Sequence, residues 1–219
     1  MAFATIGNSG LTGSIDLTSK VTGSLPVANG GTGIASGTTG QFLKFTGSTA
    51  LSSSTLGDTG KVGQVVSASK QTVASFSSSS TNTFVDLAGL TLDITPSATS
   101  SKILILSTAC IAESTSATIH VRLLRDSTVI NGGDPQSSQL DSMNSVRYQS
   151  ATPYGQALYD VSQNFLDSPN TTSQITYKLQ GTLGSSYSGT YYLNRSDSDS
   201  DADFGARTPS NLTAIEILA

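Results

Sequence analysis

The sequence predicts an all-β protein, in which an extended glycine-rich N-terminal arm is followed by a jelly-roll β-sandwich. Three observations predict it. From about Lys61 to Ala219, short runs of alternating apolar and polar residues are separated by turn residues. Ser and Thr make up about 30% of the 219 residues, and charged residues only 12%, about half the usual share. Thr is β-branched and suits a half-exposed pleated surface, and both hydroxyl residues keep a surface wet without charge. No stretch carries a helical period, and glycines at 23, 30, 31, 33, 37 and 40 argue against one in the first part of the chain.

Residues 1–60 form the arm. "LTGSIDL" (Leu11–Leu17) is echoed ten positions later by "VTGSLPV" (Val21–Val27), and more weakly by "FTGSTAL" (Phe45–Leu51). Each unit is a short strand or extended piece launched from a glycine turn. These few copies cannot stack into a solenoid. The apolar residues Leu11, Ile15, Leu17, Val21, Leu25, Val27, Phe42, Leu43 and Phe45 cannot bury one another within the arm, so they need other copies of the chain or another protein. Fully extended, such a segment reaches at most about 200 Å. In "GSLPVANGGTG" (Gly23–Gly33), Pro26 fixes φ and the glycines permit a sharp redirection. "LSSSTLGDTGKVG" (Leu51–Gly63) reads as a joint.

Residues 61–219 form the sandwich, which is long enough for one core. "GQVVSASKQTVASFS" opens it, and "TFVDLAGLTLDITP" puts Leu90, Leu92 and Ile94 on one face before Pro96 stops the strand. "SKILILSTACIAE" is a nearly continuous apolar run, as in a strand covered on both sides. "ATIHVRLLRD" sets Ile119, Val121 and Leu123 against His120, Arg122 and Leu124. "YGQALYDVSQNFLD", "SQITYKLQGT", "SGTYYLNRS" and "NLTAIEILA" follow, and in "SQITYKL" the residues Ile175, Tyr177 and Leu179 share a face. Strands at this spacing with polar turns suggest a sandwich, and a jelly roll among sandwiches.

Composition excludes several functions. A pI near 4.7 and a net charge of -4 leave no basic patch for nucleic acid. No apolar run approaches the length of a membrane span, and "MAFATIGNSG" lacks the basic and apolar regions of a secretory signal. A single cysteine, Cys110, forms no intrachain disulfide, and its apolar setting reads as a buried thiol made in a reducing cytosol.

Motifs for chemistry are sparse. His120 is the one histidine, and no G-x-S-x-G elbow accompanies it, so it reads as a surface or subunit-contact residue. "GGTGIASG" lacks the strand-helix-strand context of a dinucleotide loop, and "GDTGK" lacks the spacing of a phosphate loop. In "NRSDSDSDADFG", Asp197, Asp199, Asp201 and Asp203 alternate with small residues. Oxygen ligands so arranged could bind Ca²⁺, while four mutually repelling carboxylates also suit a solvated loop. No other cofactor is implied. Tyr148, Tyr154 and Tyr187 fall in or near loops and, with Arg147, Asn144 and Gln149, could contact the faces and hydroxyls of a sugar. Tyr159, Tyr177, Tyr191 and Tyr192 lie in strands, where core or interface roles prevail. Glu113, Asp160, Asp167 and Glu216 show no spacing that singles out a catalytic pair. Asn-x-Ser/Thr triplets at Asn170, Asn194 and Asn211 are expected by chance in so hydroxyl-rich a chain.

"TGSLPVANGGTG" resembles the repeated glycine-rich element of tail fibres and related appendages of tailed bacteriophages. The segments "LLRDSTVI", "NFLDSPNTTSQITYKLQG", "YYLNRS" and "SNLTAIEIL" are similar to the C-terminal domains of fibre proteins from phages of aquatic bacteria, cyanophages included. Those domains resemble in layout the trimeric jelly rolls of the complement C1q and tumour-necrosis-factor type. The resemblance implies a non-enzymatic homotrimer in the virion, made in the host cytoplasm. Its arm would hold other tail, baseplate or neck proteins, and its head a bacterial surface glycan or protein. An arm with unburied apolar positions independently calls for self-association, although composition does not separate three-fold from two-fold symmetry. Two alternatives stay open: a decoration, neck or baseplate protein with no receptor, and a surface-polysaccharide hydrolase.

Overall fold

The computed structural model describes residues 39–47, 50–55, 57, 60–78, 82–114, 117–147, 157–184, 188–203 and 205–219. The chain divides into two units, 1–57 and 58–219. Among the described residues every regular element is a strand, and no helix is long and apolar enough to cross a membrane.

In the first unit, β1 (Phe42–Gly47) and β2 (Ala50–Ser54) form an antiparallel hairpin, with Phe45 opposite Leu51 and a register shift between Phe45 and Gly47. Within the arm of residues 1–60 the described part is thus a pair of short strands. The chain folds back, and Leu51–Ser54, read as part of a joint, is the return strand. Period-two alternation places Leu43, Phe45 and Leu51 on one face. Leu11, Ile15, Leu17, Val21, Leu25 and Val27 lie outside the described residues.

The second unit is two antiparallel sheets. The first contains β3 (Val62–Lys70), β4 (Ala74–Ser78), β6 (Lys102–Glu113), β10 (Tyr159–Asp167), β12 (Gly189–Leu193) and β13 (Ser210–Ile217). It runs β3-β13-β6-β12-β4, and β10 lies along the other edge of β6. The second contains β5 (Val85–Ile94), β7 (Thr118–Arg125), β8 (Thr128–Ile130), β9 (Asn144–Arg147) and β11 (Ile175–Leu183). It runs β5-β11-β7-β8, and β9 also pairs β7. The core between the sheets takes every second residue. Ile103, Ile105, Ala109 and Ile111 of β6 and Leu212 and Ala214 of β13 face Ile119, Val121 and Leu123 of β7 and Ile175, Tyr177 and Leu179 of β11.

Two local departures from alternation have physical causes. Leu87 and Leu90 of β5 are both buried although they are three residues apart. Gly89 between them adopts φ +87, which shifts the phase of the strand, and the pairing with β11 shifts register at Lys178/Gln180. Strand β6 changes neighbour along one edge, pairing β13 through Thr108 and β12 from Ile111. Only its second half, Ala109–Glu113, is buried throughout. In the first half Leu104 is half-buried and Leu106 exposed, so the run is not covered on both sides as its composition predicts.

Candidate functional site

Four strands of the first sheet contain an apolar doublet: Val65-Val66 in β3, Ile103-Leu104 in β6, Phe165-Leu166 in β10 and Ala214-Ile215 in β13. Side chains of a strand alternate between faces, so one member of each doublet enters the core and the other points out. Val66, Ile103, Phe165 and Ala214 pack into or against the core. The outward members fall in register, with Ile215 opposite both Val65 and Leu104, and Leu104 opposite Leu166. Val65, Ile215, Leu104 and Leu166 therefore form one unbroken apolar row across four strands. Val65 is 58% and Leu166 55% exposed, and Val62, beside the row, is 58% exposed.

The rows beyond it become polar. Ser67, Thr213, Leu106 and Asn164 form the next, and Ser69, Asn211, Thr108 and Ser162 the one after. Hydroxyls meet across strands at Ser67–Thr213 (2.9 Å) and Thr108–Ser162 (3.0 Å). Leu106, Thr108, Asn164 and Asn211 line a depression of about 330 Å³ on this face. These three rows contain no charged side chain. On the other side of the strip the row Val62–Ile217–Lys102 brings in one cation, whose Nζ donates to Ser168 Oγ at 2.7 Å. A contiguous apolar strip with a mostly polar border is the anatomy of an interaction surface.

A second concavity, of about 420 Å³, opens on the sheet that contains β7 and β9. His120 of β7 lies opposite Ser145 of β9, and both line it with Asn82, Asp134, Gln139 and Ser142. His120 Nδ1 is 3.4 Å from Ser142 Oγ, and burial holds its pKa below the ordinary value, favouring the neutral ring.

The sequence-predicted receptor residues are only partly placed. Asn144 and Arg147 bracket β9, because residues 144–147 pair Thr118–Val121 of β7. Tyr148, Tyr154, Tyr187 and Gln149 lie outside the described residues. Of the strand tyrosines, Tyr177 and Tyr191 are core, while Tyr159 and Tyr192 are half-buried. Phe42 and Phe45, read as assembly residues, are 40% and 69% exposed on the hairpin.

The aspartate run is not gathered into a cluster. Among the described residues no three His, Cys, Asp or Glu side chains form a group that could hold a metal ion. Asp199 instead accepts a fork from Arg207, Nε at 2.9 Å and Nη2 at 2.7 Å, which holds its carboxyl below the usual range. Arg195, lying over the Tyr192 ring at 3.8 Å, donates to the carbonyls of Ser196 and Asp197. The four scattered carboxylates have separate structural partners. Asp167 accepts from Arg125 and Tyr177, Glu216 from Ser97 and Gln64, Asp160 from the Cys110 thiol at 2.8 Å, and Glu113 from the Ala117 amide. Cys110 is buried, and desolvation followed by Asp160 pushes its thiol pKa up.

No family model and no curated protein matches the chain. Solved structures with partial likeness include infectious bursal disease virus of the Gt strain, at a TM-score of 0.38 and 11% identity over 80% of this chain. A VP2 subviral particle of that virus gives 0.37 and 13% over 80%, and its T13 viral particle 0.39 and 14% over 77%. The chain spans about two fifths of the length of those proteins, at 42%, 42% and 38%.

Proposed function

We propose that this chain is a homotrimeric virion protein, the fibre head of a tailed bacteriophage, which self-associates through the outer face of its β3-β13-β6-β10 sheet. The apolar row Val65–Ile215–Leu104–Leu166 carries the reading. Val65 and Leu166, more than half exposed in one chain, leave water when a second copy covers them, and the half-buried Ile215 and Leu104 lose their remaining exposure, each gaining a part of the about 1.5–3 kcal/mol that full burial is worth. On the side of Ser67 and Thr213 the hydroxyl border supplies hydrogen bonds without adding charge. Among the described residues the β1–β2 hairpin points the same way, since two strands alone are marginal in water and Phe45 is 69% exposed.

Strand order supports the jelly-roll form. Counting β3, β5, β6, β7, β9, β10, β11 and β13 in sequence, the sheets contain the first, eighth, third and sixth strands, and the second, seventh, fourth and fifth. Two interlocked Greek keys produce that order. In this reading residues 1–60 attach to the particle through tail, baseplate or neck proteins, and the head engages the host surface. Several heads on one particle then add their weak affinities.

Native mass spectrometry of the full chain tests the assembly. Three copies are expected, and a monomer at micromolar concentration would overturn it. Immunogold electron microscopy should find the chain at an appendage, and the purified trimer should bind host cells. Label on the capsid shell without cell binding would favour the decoration reading.

A further inference from the structure

We infer that the concavity around His120 is a binding site for an uncharged saccharide. For the source of that sugar, a host surface, the inference rests on the receptor-binding reading; for the cleft it does not. The site has a defined architecture. Ser145 and His120 project from paired strands, so their spacing is set by the sheet. The segment after β8 covers them and is tied at both ends. Met143 donates to the Val121 carbonyl at 2.9 Å, and Gly132 lies so close to the Asp141 carboxylate that a Cβ there would displace that side chain. Within that segment Gln136 and Gln139 close a turn, with Gln139 Oε1 accepting from the Gln136 amide at 2.9 Å. The Gln139 amide nitrogen carries two further donors. The other wall includes Asn82, whose Oδ1 is buried and has no hydrogen-bond partner.

The chemistry of the lining selects the ligand. Hydroxyls, side-chain amides and an imidazole both donate and accept, which matches the alternating demands of sugar hydroxyls. Leu140 and Pro135 supply apolar surface for C–H groups. Among the described residues no Lys or Arg lines the cleft and Asp134 is its one ionisable acid, while burial favours the neutral His120 ring. Sialylated, uronate or phosphorylated sugars would therefore meet a carboxylate with no compensating cation.

His120 is the chain's one histidine, so a single imidazole signal in the NMR spectrum reports on the cleft. The full chain is screened on an array of neutral, sialylated, uronate and sulfated oligosaccharides, and neutral hits are titrated while that signal is followed. Binding to neutral sugars, with movement of the His120 resonance, is expected. Ser145→Trp, which fills the cleft from an exposed position, and Gln139→Ala should each weaken binding at least tenfold without changing the far-UV circular dichroism. Preference for acidic sugars, or neutral binding that leaves the His120 signal and both variants unaffected, overturns the proposal. Cell binding by the wild-type protein with no saccharide binding also overturns it, and leaves the receptor reading standing. Saccharide binding without cell binding sinks the receptor reading alone.

Discussion

The Tyr177 hydroxyl donates to Asp167 Oδ2 at 2.6 Å, and that bond joins the two sheets of the sandwich. Tyr177 lies on the inner face of β11, and Asp167 ends β10 in the opposite sheet. Arg125 Nη1 approaches both carboxylate oxygens, at 2.9 and 2.8 Å, and the Ser168 amide donates to Oδ1. The buried carboxylate is thus satisfied by a cation, a phenol and the backbone. Burial first, and the bond to Asp167 second, push the phenol's pKa well above its ordinary value, so it stays a donor at any physiological pH.

Tyr177→Phe keeps the ring and removes the bond, so it should cost about 1–3 kcal/mol. Asp167→Ala removes the acceptor of both donors and should cost more, about 3–5 kcal/mol. Urea unfolding at one fixed protomer concentration checks both, since oligomer stability depends on concentration. Equal losses for the two variants would show that the carboxylate does not anchor the set.

Asn194 closes the fork where β6 passes from β13 to β12. It is fully buried, at φ +66, a conformation that Asn tolerates better than most residues. Its Nδ2 donates to the carbonyls of Lys70 (2.6 Å) and Thr72 (3.1 Å), and its Oδ1 accepts from Ser210 Oγ. Its backbone amide donates to Cys110 O, while Ser210 Oγ accepts from Cys110 N. Asn194→Ala leaves those partners unsatisfied and strains the backbone, for an expected loss of about 3–4 kcal/mol. Asn194→Gly relieves the strain alone and should recover about 1 kcal/mol of it. Thermal melts of the two variants separate these contributions. The burial also means that the Asn194 triplet offers no glycan acceptor in the folded chain.

Period-two patterning made much of the fold legible. The alternation at Ile119, Val121 and Leu123, and at Ile175, Tyr177 and Leu179, reports directly which face meets the core, because a strand has only two faces. The hairpin at 42–54 was not legible, since an apolar run with a glycine turn describes an extended arm and a folded one equally well. The outward row was present in the sequence as doublets. Recognising it required the register between strands that are distant in sequence, such as Leu104 with Ile215 and Leu166, and local pattern does not contain that register. Asn194 shows the same limit, since its partners at Lys70, Thr72 and Ser210 lie far away along the chain.

Glu216 predicts how the fold fails in acid. It is buried at the inner side of β13 and accepts from Ser97 N (2.7 Å), Ser97 Oγ (2.6 Å) and Gln64 Nε2 (2.8 Å). Burial alone would raise its pKa, but these donors outweigh it and bring the value from 4.5 to about 2. A folded-state pKa below the unfolded one contributes stability that is fully present above pH 4.5 and is lost as the pH falls toward about 2. The amount is about 3 kcal/mol. Melting temperature measured from pH 7 to 2 should therefore drop through that window. Glu216→Gln should be less stable at neutral pH and show a shallower drop. Parallel curves for the two proteins would place the acid sensitivity elsewhere.

The doublets give the most discriminating test of the apolar row, because each offers two adjacent residues with opposite fates. Leu166 is 55% exposed, whereas its neighbour Phe165 packs against the core. Leu166→Lys places a charge where a second copy would lie and leaves the sandwich interior untouched. It should yield a folded monomer with unchanged circular dichroism and about tenfold or weaker association, since one like-charged, desolvated lysine per contact costs at least 1.4 kcal/mol. Val65→Lys, at the far end of the same row, should do the same. Phe165→Lys and Val66→Lys push a charge toward the core and should unfold the chain rather than dissociate it. Ser69→Lys, on the same outer face but two rows from the apolar strip, should weaken assembly less than either outward variant. If Leu166→Lys and Val65→Lys leave the mass of the assembly unchanged, the row is not the contact between copies.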